Sequence, residues 1–375
     1  MAKTLLITND FGPRAGGIES FVIGLLERLP EGEVLVYTSR QEDSEAYDAD
    51  WLAERGIQVI RDRARILLPT PRVIAALRHL IRRDGIERIW FGAAAPLGIA
   101  ARWLRIGTVK RIVALTHGHE VWWSKIPPFS WLLREAVANI DVLTYLGDFT
   151  KRALLRVAPE SKLVRIAPGI DIDNFAPRDA TELRRELGVG ERPTIVSVGR
   201  LVHRKGQDRL ISALPEIKRA IPDVALVFVG EGPYRSELES LVKKFNLVND
   251  VLFLGRIPYR ELARYISIGD IFAMPSRSRF FGLEVEGLGI VYLEASATGL
   301  PVLGGASGGA PDALIDGKTG YVVDGNSLEA IAERAITLLQ DPNLRQEFGA
   351  NGRAWVLADW RWEIWSSRFN ELLMK

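Results

Sequence analysis

APGIDIDNFAPRDATELRRELGVGERP, residues 167–193, interrupts the pattern that runs through the rest of this chain. Before it, short apolar runs (TLLITN 4–9, EVLVYTS 33–39, RIWFG 88–92, RIVALTHG 111–118, VLTYLG 142–147, LVRIAPG 163–169) alternate with longer amphipathic ones such as ESFVIGLLERL 19–29 and PRVIAALRHLIRR 71–83. After it the alternation restarts with TIVSVG 194–199, ALVFVGEG 225–232, VLFLG 251–255, IFAMPS 271–276, PVLGG 301–305 and TGYVVD 319–324. GQDRLISALPEIKRA 206–220 and LEAIAERAITLLQ 328–340 are among the helical stretches between them. Continuously apolar strands separated by helices indicate parallel sheets covered on both faces. The interrupting segment holds turn residues and one short charged helix, so the linker is placed near residues 167–192.

The expected fold is therefore α/β: two Rossmann-like domains with parallel sheets facing a central cleft. The first spans residues 1–168 and the second 169–359. The closing WRWEIWSSRFNELLMK, 360–375, reads as an amphipathic aromatic helix. A chain of 375 residues is long enough for two such domains, and 47% hydrophobic with 26% charged residues is a globular balance. A net charge of +2 gives no sign of a nucleic-acid partner. Cysteine is absent, which excludes disulfides, thiolate catalysis and Cys-ligated zinc. The four histidines, His79, His117, His119 and His203, include the pair His117-x-His119, but no third ligand has convincing spacing and no metal is expected. No signal peptide is read in MAKTLLITND, and WFGAAAPLGIAA falls short of the ~20 apolar residues a spanning helix needs. A cytoplasmic protein that touches a membrane surface is expected.

The chemistry concentrates in EGLGIVYLE, 286–294. Glu286 precedes a glycine-broken loop, and Glu294 lies inside the apolar helix IVYLEASATG. Backbone N–H groups of Gly287, Leu288, Gly289 and Ile290 at a helix start can face an anion, with one carboxylate on each side. That arrangement suits a ligand with phosphates at its centre and hydroxyls at both ends, namely a nucleotide sugar. Upstream, VGRLVHRKGQD sets Arg200 and Lys205 after a strand, where an open α/β sheet receives a diphosphate.

The two segments, in this order, resemble the retaining GT-B glycosyltransferases of the glycogen-synthase-like group (glycosyl transferases group 1). The resemblance implies that Arg200 and Lys205 neutralise the diphosphate, Glu286 orients the sugar and Glu294 the ribose. PGIDIDNF is similar to the segment joining the two GT-B domains, and the C-terminal helix is then expected to pack back on the first, acceptor-side domain. His117 at a strand end resembles the residue that contacts the transferred sugar, with His119 and Glu120 behind it. Gly16 and Gly17 precede a helix with Glu19 and Ser20 in its first turn; the pattern is not a dinucleotide fingerprint, and the resemblance makes this the loop over the donor diphosphate. Asn9, Asp10 and Arg14 beside it would face an acceptor. Arg256 and Leu262, in and after VLFLGRIPYRELARY, would border the base pocket. GGASGGAPDALI, 304–315, supplies small residues at a further strand end and is a minor contributor.

Longer stretches, among them WFGAAAPL, THGHEVWW, VEGLGIVYLEA and KTGYVVDG, resemble the actinobacterial phosphatidylinositol-mannoside mannosyltransferase B family across both domains. This implies a GDP-mannose donor, a phosphoinositide glycolipid acceptor and no required cofactor. It also implies a peripheral place at the inner face of the plasma membrane, with an anionic surface as partner. A front-face reaction, in which the leaving phosphate takes the acceptor proton, is part of the implication. His203, Trp123, Phe280 and Phe281 depart from the family pattern, where a proline or small residues are expected. The same fold with another donor, a soluble acceptor or an epimerase activity remains open; a glycoside hydrolase leaves the basic pair without a role. Arg61, Arg63, Arg65, Arg72, Arg78, Arg82, Arg83 and Arg105, with Trp103, form the cationic and apolar set expected to meet the membrane.

Overall fold

The computed structural model describes residues 3–14 and 16–375. The chain divides into two compact units, one formed by residues 1–169 with Trp362–Lys375 and the other by Ile170–Arg361. In the first unit seven strands, β1 (Thr4–Thr8), β2 (Val34–Thr38), β3 (Gln58–Arg61), β4 (Arg88–Phe91), β5 (Arg111–Ala114), β6 (Val142–Tyr145) and β7 (Leu163–Arg165), form a sheet of order β3-β2-β1-β4-β5-β6-β7. In the second, β8 (Thr194–Val198), β9 (Ala225–Val229), β10 (Val251–Phe253), β11 (Ile271–Met274), β12 (Val302–Gly305) and β13 (Gly320–Val323) follow the order β10-β9-β8-β11-β12-β13. All the pairings between these strands are parallel.

The sequence pattern predicts each of these strands except β3. That strand, QVIR, lies at the sheet edge with its residues only partly covered, so it lacks the continuous apolar run of a strand buried on both faces. Central strands such as β1, β2, β8 and β9 are buried at every position, as a sheet between helix layers requires.

The sheet orders place the sites. Strand order reverses between β1 and β4 in the first unit and between β8 and β11 in the second. Crevices beyond the carboxyl ends of strands at such switch points are where doubly wound sheets bind ligands.

The helix Trp362–Met374 completes the first unit. Phe369 packs on Trp90 at 4.7 Å between ring centroids, and Arg165 lies over the Trp365 ring. Trp362 presses so closely on Gly24 that an added Cβ would sit 2.3 Å from its ring. Burying large aromatic side chains in this way contributes roughly 1.5–3 kcal/mol each.

Candidate active site

In the second unit β8 ends at Val198, and the chain turns through Gly199 and Arg200 into the 3-10 turn His203–Lys205. Gly206 then adopts φ 77°, and a Cβ there would lie 2.1 Å from the Pro275 carbonyl oxygen after β11. The left-handed turn and the tight approach both require glycine. They deliver Lys205, a buried lysine, to Glu286: Nζ stands 2.8 Å from Oε2. Burial alone pushes the Glu286 carboxyl up, but Lys205, Arg204 and the Gly287 N–H outweigh it and hold the group below its ordinary value. Arg204 is a contributor that the motif reading passes over, because its role is exerted through charge rather than position in a motif.

The run GGASGG does more than permit close packing. The Glu286 N–H donates to Ser307 Oγ at 3.3 Å, and the Gly309 N–H donates to the Glu286 carbonyl at 2.8 Å. Gly308 takes φ 56° against that same carbonyl. The end of β12 is thus a backbone clamp on the Glu286 loop. Gly289, at φ 79°, caps the helix Ile290–Ala297, whose first turn leaves N–H groups without partners inside the helix.

Glu294 lies one helical face further on and is buried. Burial raises its carboxyl to about 7, against the opposing hydrogen bond from Tyr259 and the charge of Lys205. Tyr259 packs edge-on to Phe175 at 5.5 Å and is raised in turn by burial and by Glu294. The two glutamates therefore differ in tuning: one is held as a carboxylate and the other is poised near neutrality. Arg200 is exposed, and among the described residues no carboxylate or carbonyl pairs with its guanidinium. Arg256 is likewise exposed, and Leu262 is half-buried on the helix Tyr259–Ile266. Tyr259 carries no signal in the sequence; an aromatic at a helix start is ordinary until Glu294 is seen beside it.

In the first unit the carboxyl ends of β1, β4 and β5 gather Asp10, Glu19, His117, His119 and Glu120, whose charges act on one another. His117 Nε2 is 2.5 Å from the Gly92 carbonyl oxygen after β4, and the His117 N–H donates to Glu120 Oε2 at 2.9 Å. Glu120 also sits 3.2 Å from His119 Nε2. Burial pushes the His117 imidazole below its ordinary range, so it is neutral at pH 7. Asp10 is raised, first by burial and then by Glu19, against Arg14 and His119.

Arg14 reaches back to the buried Glu19, with Nε at 2.8 Å and Nη2 at 2.7 Å. An added Cβ on Gly16 would strike Glu19 Oε2 at 2.3 Å, whereas one on Gly17 would meet nothing within 4 Å. The space in front of Gly17 is open. Asn9 is placed differently from the expectation: its amide donates to the Leu67 carbonyl at 3.1 Å and accepts the Leu67 N–H at 2.6 Å. It clamps a neighbouring loop instead of presenting its amide to a ligand.

The departures from the family pattern also find places. Trp123 is buried against Phe129 at 5.1 Å and belongs to a packed aromatic cluster. His203 lies tilted against the Tyr234 ring, with centroids 3.7 Å apart. Phe280 and Phe281 are exposed.

Both units match families of known proteins. Residues 179–355 match the family described as Glycosyl transferases group 1, and residues 15–174 match Glycosyltransferase Family 4. The GDP-mannose-dependent alpha-(1-6)-phosphatidylinositol monomannoside mannosyltransferase of Mycolicibacterium smegmatis is 44% identical over 98% of this chain and 97% of its own length. The monoacylated-substrate counterpart of Corynebacterium glutamicum is 41% identical over 99% of this chain and 97% of its own. Among solved structures, Anabaena HepE in complex with UDP superimposes with a TM-score of 0.82 at 19% identity, covering 99% of each chain, which speaks to the fold alone. On the near-full-length identity to these enzymes, the chain belongs to the GT-B glycosyltransferases of group 1, in the family of the phosphatidylinositol monomannoside mannosyltransferases.

Proposed function

We propose that the chain is a retaining α-mannosyltransferase that moves mannose from GDP-mannose to a phosphatidylinositol mannoside. The observation that carries the reading is the buried Lys205–Glu286 pair at the β8/β11 switch point, with Arg200 in the same loop unpaired among the described residues. It has the parts that the donor of its relatives requires. Lys205 and Arg200 stabilise charge developing on the leaving diphosphate, and the helix start at Gly289 adds N–H groups. Glu286, kept ionised, accepts hydroxyls of the sugar, and Glu294 those of the ribose. Neutral His117 donates or accepts a hydrogen bond at the sugar without adding charge, and Asp10 and Gly17 border the acceptor.

These cations do the electrostatic work that a divalent metal does in other transferases, so transfer proceeds without one. Purified protein is incubated with labelled GDP-mannose and phosphatidylinositol monomannoside, with and without EDTA. A dimannosylated lipid in both arms, with the new linkage α by NMR, is the expected result. Mannose released to water, or transfer from a UDP-sugar instead, overturns the reading, and loss of transfer in EDTA overturns its metal-free form.

The acceptor places the protein at a membrane, at the cytoplasmic face of the plasma membrane in our reading. No helix of the described residues is long and apolar enough to cross one. The expected cationic set is narrower than the sequence suggests. Arg61 is held by Asp48 at 2.7 Å, Arg72 by the buried Asp62, Arg83 by Asp84 and Arg105 by Asp141. Arg65 faces Glu42 at 3.5 Å. Arg63, Arg78 and Arg82 have no carboxylate partner among the described residues, and the last two line a groove of about 500 Å³ with Pro69, Ile74 and Trp103. Two cations over an apolar groove suit an anionic lipid surface, each contributing ~1 kcal/mol.

A further inference from the structure

Between β11 and the helix Ile290–Ala297, Arg279–Glu284 forms a small hairpin. The Arg279 N–H donates to the Glu284 carbonyl at 2.9 Å, and the two side chains pair at 3.1 Å. At its tip Phe280 and Phe281 adopt φ 49° and 55°. Bulky L-residues avoid this left-handed region because Cβ crowds the following carbonyl. Phe280 is 61% exposed, Phe281 is fully exposed, and Leu283 joins them at 40%. The adjoining Gly282, at φ 81°, shows what a plain turn uses here. Two phenylalanines add both strain and exposed apolar surface. The Arg279 guanidinium lies 4.7 Å from the Phe280 ring centroid.

We infer that Phe280 and Phe281 are a wedge that enters the interfacial layer of a lipid bilayer. This rests on the reading of the acceptor as a membrane lipid. The shape favours a bilayer over a protein partner: two rings and a leucine at a hairpin tip are far smaller than the ~800 Å² per side of a stable protein interface. The charges at the base cancel, so the tip carries apolar surface into the interface without a net charge behind it. Such groups insert shallowly beside headgroups. The hairpin is also wired to the donor loop. Ser278 Oγ is 3.3 Å from Ser307 Oγ, which accepts the Glu286 N–H. An inserted tip leaves the backbone N–H of Glu286 two hydrogen bonds from an anchored segment.

The chain has no cysteine, so a single Phe281→Cys variant carries one environment-sensitive NBD label, with Val248→Cys, exposed in the same unit, as the control. Vesicles of phosphatidylcholine with phosphatidylglycerol are added at low and high salt, and doxyl-labelled lipid is used as quencher. We expect a blue shift and quenching at position 281 and neither at 248. The Phe280→Gly/Phe281→Gly variant relieves the backbone strain and so folds. Its vesicle affinity should fall roughly tenfold, with the loss persisting at high salt and GDP binding unchanged. No spectral response at 281 in the presence of vesicles overturns the wedge. So does a shift that follows protein concentration without lipid, which would mark contact between copies. Transfer to detergent-dispersed acceptor, measured separately, reports on the enzymatic reading alone.

Discussion

Lys205 Nζ and Glu286 Oε2 lie 2.8 Å apart, both nearly out of solvent, and the lysine helps to hold the Glu286 carboxyl below its ordinary value. Lys205→Ala therefore does two things. It removes a cation from the leaving group, lowering kcat by roughly 10²–10³. It also strands a buried carboxylate, costing about 3 kcal/mol of stability. Adding Glu286→Gln should restore the melting temperature without restoring transfer. Recovery of both together would show that the pair is structural.

Arg200 has no such obligation. Arg200→Ala should leave the melting temperature within the error of measurement and still lower kcat/KM for GDP-mannose by roughly 10²-fold. Thermal melts and initial rates on the same preparation check this. Unchanged rates would remove Arg200 from the donor site.

Glu294 makes the fold and the ligand respond oppositely to pH. Its folded carboxyl is raised from the ordinary 4.5 to about 7. Between those values the folded state binds more protons than the unfolded state, so stability falls as the pH rises. The loss of stability reaches about 3 kcal/mol once the pH exceeds 7, and is absent below 4.5. Glu294→Gln should flatten that part of the profile. Ribose hydroxyls donating to the carboxylate favour the ionised form, so GDP should bind more tightly above pH 7 and release a proton on binding. Calorimetry in buffers of different ionisation enthalpy measures the proton; its absence would mean that Glu294 does not meet the ribose.

Gly309 tests the clamp. A Cβ there would lie 2.1 Å from the Gly287 carbonyl oxygen. Gly309→Ala should displace the Glu286 loop and reduce transfer at least tenfold, by analogy with the loss of positioning in other sites. Circular dichroism should remain native, because the displaced backbone is a loop outside the sheet.

The strands and the two-fold restart of the α/β pattern are legible because buried parallel strands are written as continuous apolar runs. Arg200, Lys205, Glu286 and Glu294 are legible because they sit in compact motifs. What escapes is relational. Asn9 reads as a free polar residue until Leu67, far along the chain, takes both ends of its amide. Tyr259 acquires meaning only from the Glu294 carboxyl beside it, and Ser307 from the Glu286 backbone N–H that it accepts. Arg61 and Arg72 look like surface cations until Asp48 and Asp62 claim them. β3 is hidden because an edge strand can stay polar.

The helix Trp362–Met374 belongs with residues 1–169, although Ile170–Arg361 are made in between. On the ribosome the first unit must therefore wait, with Trp90 and Phe21 lacking their partners Phe369 and Trp362. At 5–20 residues per second the interval is roughly ten to forty seconds. The first unit emerges early and is completed last, so its aromatic face is open to chaperones and aggregation for the whole synthesis of the second. A nascent chain stalled before residue 362 would carry a finished second unit and an unfinished first.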